Sequence, residues 1–176
     1  MVFIASFSVM GLSKKVSLKD QVSCWIQDCE RLVVLGVGNP MRGDDAVGIE
    51  VAKRLFGRVP EWIRIIDCGM TPENFLPEIE AYCPTHVLIA DAAELHAEPG
   101  AAQLLPLEKM LNAAISTHTI PLSILAGVLA EEVKAKIVLL GIQPHDTSLT
   151  EEMSPELKKA AEEIIETILE AVKEKK

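Results

Sequence analysis

The sequence predicts an α/β fold, a single-domain three-layer sandwich whose twisted, mostly parallel sheet of about five strands carries helices on both faces. Three observations predict it. Short β-branched runs alternate along the whole chain with longer segments in which apolar residues recur every three or four positions, the mark of repeated strand–helix units. The first such run, Leu32-Val-Val-Leu-Gly-Val37, is apolar without alternation, as a strand covered on both faces must be. Finally, 176 residues at 49% hydrophobic content suffice for one sizeable core, yet no stretch approaches the roughly 20 apolar residues that span a bilayer.

The elements follow in order. Residues 17–32 carry Val22, Trp25, Ile26 and Cys29 at helical spacing among acidic and amide residues, predicting a leading amphipathic helix. The run 31–38 is the first strand, ended by glycines. Val47, Val51 and Leu55, four apart, predict a helix opened by Asp45 or a neighbour and stopped by Gly57 and Pro60. Residues 63–67 form a second strand, with Cys68-Gly69 as a turn and Thr71-Pro72 as the cap and first position of a helix in which Pro77 shifts the boundary. Residues 87–90 are a third strand ending at Asp91, and 101–105 an antiparallel edge strand after the Glu98-Pro-Gly100 turn. A short helix at 107–114, a polar loop holding His118, a helix over 121–133, a last strand over 136–140 and a closing helix capped by Ser154-Pro155 complete the chain. Residues 1–30 are read as an N-terminal extension containing the leading helix, and 31–176 as the domain.

Charge and cysteines narrow the function. Lys and Arg number 17 against 26 Asp and Glu, a net charge of -9, which repels phosphate backbones, so nucleic acid is not an expected partner. Four cysteines without a CxxC pair do not form a secreted disulfide framework, and a reducing cytoplasm is expected. The apolar start, residues 1–12, has neither a basic leading region nor a cleavage site, so no signal peptide is expected.

In an open parallel sheet, ligands bind beyond the carboxyl ends of the strands, and the sequence repeatedly puts acids there. Asp44 and Asp45 follow the first strand, Asp67 ends the second, Asp91 ends the third, and His118 occupies a polar loop. Two carboxylates and an imidazole suit a borderline divalent cation with open coordination positions. Each residue also has a structural reading. Asp45 suits a helix start, Asp67 a turn, and His118 an ordinary loop, whereas Asp91 at the end of a buried strand is costly without a partner. The cysteines read as small core residues, Cys68 being the one nearest the candidate edge. Gly36-Val-Gly38 is not a dinucleotide fingerprint, because Met41 stands where the third glycine belongs and Asp44-Asp45 would repel a pyrophosphate.

The run Val34-Leu-Gly-Val-Gly-Asn-Pro-Met-Arg-Gly-Asp-Asp-Ala-Val-Gly48 resembles the opening motif of the nickel-iron hydrogenase maturation endopeptidases. Ile66-Asp-Cys-Gly69, Leu88-Ile-Ala-Asp-Ala92 and Ser116-Thr-His-Thr-Ile-Pro-Leu122 are similar to that family's later segments, and Gly141-Ile-Gln-Pro144 to members serving formate-hydrogenlyase and related membrane-bound hydrogenases. Ala46 and Cys68 depart from its usual glycines. The resemblance implies an aspartic-type endopeptidase that removes the C-terminal extension of a large-subunit precursor after nickel insertion. It implies Asp45, Asp91 and His118 as nickel contacts, Asp45 and Asp91 as catalytic carboxylates, and Gly38, Asn39, Asp44 and Asp67 in support. Nickel would arrive with the substrate, no organic cofactor is implied, and a monomer is expected. A non-catalytic nickel-binding protein that holds the precursor is the alternative. Peptidyl-tRNA hydrolases share the Gly-x-Gly-Asn-Pro run, but they need a catalytic His and a basic face that this chain lacks.

Overall fold

The computed structural model describes residues 16–106, 109, 119–150 and 152–175. Its sheet has the order β2-β1-β3-β5-β4, built from β1 (Leu32–Val37), β2 (Ile63–Gly69), β3 (His86–Ala92), β4 (Ala102–Pro106) and β5 (Lys136–Ile142). All neighbours pair in parallel except β4, which runs antiparallel along β5 at the edge. The three-layer α/β sandwich is therefore as expected, edge strand included.

Side chains of the central strands alternate between two cores. Leu32, Val34, Leu88, Ala90, Leu140 and Ile142 face one layer, formed by α1 (Leu18–Trp25), α2 (Val47–Leu55) and α5 (Pro155–Glu174). Val33, Leu35, Val37, Val87, Ile89 and Leu139 face the other, formed by α3 (Leu76–Tyr82) and α4 (Thr119–Val128), which ends in a π-type turn, Leu129–Val133. Period two on a strand covered on both sides produces the unbroken apolar runs of the sequence. Each fully buried Leu or Ile contributes roughly 1.5–3 kcal/mol over exposure.

Several boundaries differ from expectation. α1 ends at Trp25 rather than continuing toward 32, and Cys29 is buried through a turn in which its N–H donates to Ile26 O at 3.1 Å. The Ser17 hydroxyl caps α1 by accepting from Asp20 N at 3.1 Å. Val22 and Ile26 enter the same core as the sheet and α5. Cys68-Gly69 is not a turn but the end of β2, because pairing with β1 continues to Gly69 and Cys68 packs into the second core. The following helix is split into a 3-10 turn, Pro72–Phe75, and α3, with no side-chain cap from Thr71. Pro77 falls in the first turn of α3, where its missing N–H has no intrahelical acceptor to lose. The closing helix is capped as predicted, the Ser154 hydroxyl accepting from Leu157 N at 3.3 Å. The expectations for residues 1–12, for the helix at 107–114 apart from residue 109, and for the His118 loop lie outside the described residues.

Candidate active site at the carboxyl edge of β1 and β3

β1 feeds through α2 to β2 on one side, while β3 lies on the other, so the carboxyl ends of β1 and β3 form the topological switch point of the sheet. Two glycines let the chain settle onto it. A Cβ on Gly48, in the first turn of α2, would stand 2.1 Å from Ala90 O and 2.3 Å from Val37 O; one on Gly38 would stand 2.0 Å from Asp45 O. Only hydrogen fits in either place. The segment between these glycines carries a 3-10 turn, Gly43–Ala46, that packs against β3, and α2 starts at Val47 with Ala46, the neighbour of Asp45, at its N-cap.

Asp45 and Asp91 thus come to one edge on adjoining elements. Asp45 is 2% exposed, and its Oδ1 is buried with no hydrogen-bond partner among the described residues. Asp91, next to Ala90 and paired in register with Gly141 of β5, is fully buried. An ionised carboxylate oxygen removed from water costs several kcal/mol unless a donor or a cation meets it, which sets Asp45 Oδ1 apart from the fully bonded Asp44 beside it. His118 lies outside the described residues. Among the described residues no group of three or more His, Cys, Asp or Glu is placed to hold a metal ion.

Asp44, one residue earlier, is used differently. Its Oδ2 accepts from His145 N at 2.8 Å, Asp146 N at 3.0 Å and the Ser154 hydroxyl at 3.0 Å, and its Oδ1 accepts from Ser154 N at 2.7 Å. The carboxylate therefore fastens the 143–154 connection and the start of α5 to the loop that holds Asp45. That connection is itself stiffened by Asp146, whose carboxylate accepts from Ser148 N and Oγ, both at 2.8 Å, and is held below its ordinary pKa by these bonds. Asn39 closes a turn by accepting from Met41 N at 3.0 Å. Asp67 stays exposed at the rim, accepting from the backbone N–H of Gly69 at 3.1 Å at the end of β2, with Lys53 Nζ 3.6 Å from its other oxygen.

Cys68 is no nucleophile here. Burial, with Asp67 adding to it, pushes its thiol up to about 12, and its Sγ sits 3.8 Å from Ile66 O.

Sequence reasoning missed two supports. Gln143, buried just after β5, accepts from Leu95 N at 2.7 Å and Ala97 N at 3.4 Å and donates to Pro144 O at 3.2 Å, pinning the loop that follows Asp91. Its signals were a glutamine continuing an apolar strand and its place in the Gly141-Ile-Gln-Pro144 segment, neither of which gave it a loop-pinning role. Ser154 was read as a helix cap alone, and the structure makes it an Asp44 partner as well.

A family model described as HycI, hydrogenase maturation protease, matches residues 49–171. The chain is similar to the crystal structure of the [NiFe] hydrogenase maturation protease HycI from Thermococcus kodakarensis KOD1, with 38% identity and a TM-score of 0.80 over 87% of this chain and 99% of that one. It is 32% identical to the hydrogenase 3 maturation protease of Escherichia coli K12 over 77% of this chain and 87% of the relative. The hydrogenase maturating endopeptidase HybD from E. coli shares 27% identity and a TM-score of 0.70, covering 82% of this chain and 93% of that one.

Proposed function

This chain belongs to the hydrogenase maturation protease family, and from that premise we propose that it is the endopeptidase that removes the C-terminal extension of a nickel-iron hydrogenase large-subunit precursor once nickel has been inserted. The observation that carries the nickel part of this reading is Asp45 Oδ1, buried and unpartnered at the switch point beside Asp91. Nickel is part of the substrate. The precursor docks its metal on Asp45, Asp91 and His118, which places the adjoining peptide against the carboxylates. A water attacks the scissile carbonyl, polarised by the metal or a carboxylate, as a carboxylate takes the water's proton and returns it to the departing amine when the C–N bond breaks. Cys68, buried and with a thiol raised to about 12, does not compete for the role of nucleophile.

Gly38 and Gly48 supply the close packing that holds the acids in place, and Asp44 fixes the loop between them. No described helix is long and apolar enough to cross a membrane. Four free thiols, two of them exposed, suit the reducing cytoplasm in which such a precursor would be met.

The test mixes the protein with nickel-loaded precursor and follows intact mass. Wild type shortens the precursor, whereas Asp45→Ala, Asp91→Ala and His118→Ala each abolish shortening. Asp45→Asn is at least as stable as wild type, because the neutral amide removes a buried charge whose Oδ1 has no bond to lose. Cleavage retained in all three alanine variants rejects the site. Binding without shortening by wild type favours the precursor-holding alternative.

A further inference from the structure

Six large apolar side chains are exposed among the described residues: Val16, Met41, Phe56, Met70, Ile124 and Leu149. Met41, Met70 and Leu149 stand on the exits of β1, β2 and β5, the loops around the acid edge. These loops are bonded to one another. Gly38 N donates to Gly69 O at 2.9 Å, which joins the β1 and β2 exits. Thr150 N donates to Met41 O at 3.0 Å, and Arg42 Nε to Thr147 O at 2.9 Å, joining the β1 and β5 exits. Gly43, at φ +52°, admits this approach, since a Cβ there would lie 2.8 Å from Thr150 Cγ2. Met41 and Leu149, 63% and 81% exposed, are therefore presented on adjoining backbone that the Asp44 carboxylate fastens from beneath.

We infer that Met41 and Leu149, with Met70 on the neighbouring β2 exit, form an apolar docking platform for the stretch of precursor polypeptide next to the bond to be cut, an inference that rests on the protease reading above. Three arguments select that occupant. Met41 stands four residues before Asp45 in the same loop, so the platform adjoins the edge at which the precursor's metal is proposed to dock. The backbone beneath is fixed before binding, so little ordering cost is left to the association. Met and Leu are unbranched at Cβ, and thioethers adapt to varied apolar surfaces, which suits a linear segment better than a rigid polar ligand. Phe56, at the far end of α2 and 74% exposed, shows that exposure alone does not define the platform and supplies a control.

The experiment measures processing kinetics and direct affinity for nickel-loaded precursor in wild type, Met41→Ser/Leu149→Ser and Phe56→Ser. In the double variant KM and the dissociation constant rise about 30-fold, with kcat at saturation and the unfolding midpoint unchanged. Phe56→Ser matches wild type. An unchanged KM and affinity in the double variant overturns the platform while wild-type cleavage keeps the protease reading, and so does a loss confined to kcat. A wild type that binds but never cleaves, with binding weakened by the double substitution, fails the protease reading and retains the platform.

Discussion

Replacing Asp44 by Asn keeps size and removes the charge from a buried carboxylate that accepts four hydrogen bonds. The amide has one acceptor oxygen. If that oxygen takes the position of Oδ2, its NH2 faces Ser154 N, which stands 2.7 Å from Oδ1 in the native protein; the reverse orientation turns the NH2 toward the amides of His145 and Asp146. Each charge-assisted bond is worth about 1.5–3 kcal/mol, but the losses are not additive, and the His145 and Asp146 amides, on an exposed connection, regain water. The expected net cost is about 3 kcal/mol, a fall in Tm of roughly 6–12 °C for a domain of this size. Urea unfolding followed by circular dichroism measures it, with Ser154→Ala and the double variant closing a cycle. Because Ser154→Ala removes one of the four donors, the hydroxyl, and leaves the Ser154 N–H in place, the double variant should cost less than the sum of the singles by the coupling of that one bond. Asp44→Asn within about 0.5 kcal/mol of wild type, the scatter of ordinary surface substitutions, would refute the argument that this acid is a structural clasp.

Thiol chemistry and pH give two further checks. Of the four cysteines, the exposed Cys24 and Cys83 should react promptly with a disulfide reagent at pH 8 in the folded protein, while Cys29, raised by burial, and Cys68, pushed up to about 12, react only on unfolding; a third fast thiol contradicts the burial of Cys29 or of Cys68. His86, 1% exposed against Trp25, is held below its ordinary 6.5 mainly by burial, which outweighs the attraction of Asp28 Oδ1 3.3 Å from Nε2. Lys136, which pairs with Asp28, and Lys175 push in the same direction as burial. A depressed folded pKa favours the neutral ring, so this contribution to stability is complete above 6.5 and is lost as pH falls from there through the folded value. Between pH 7.5 and 5.5 the Tm of wild type should therefore drop more than that of His86→Phe, and parallel profiles would remove His86 from the account.

The sequence by itself determined the succession of elements, because each depends on local periodicity and punctuation. Unbroken apolar runs specify strands covered on both faces, the Ser154-Pro155 pair starts the closing helix, and Glu98-Pro-Gly100 turns the chain into the edge strand β4. It also showed that acids gather at strand ends. Local pattern does not say what each acid meets there. Asp44 and Asp45 are the same residue type one position apart, and a 3-10 turn aims them differently: one at amides 101, 102 and 110 residues away, the other with a buried, unpartnered oxygen. Cys68 read as a turn because its glycine neighbour suggested one, while parallel pairing with β1 carried the strand past it and buried the thiol. Gln143 became a clasp for the loop after β3 only through contacts 46 and 48 residues back along the chain. Hydrogen-bond partners brought together from such separations exist only once the sheet has formed, so the division of labour among these polar groups belongs to the tertiary structure.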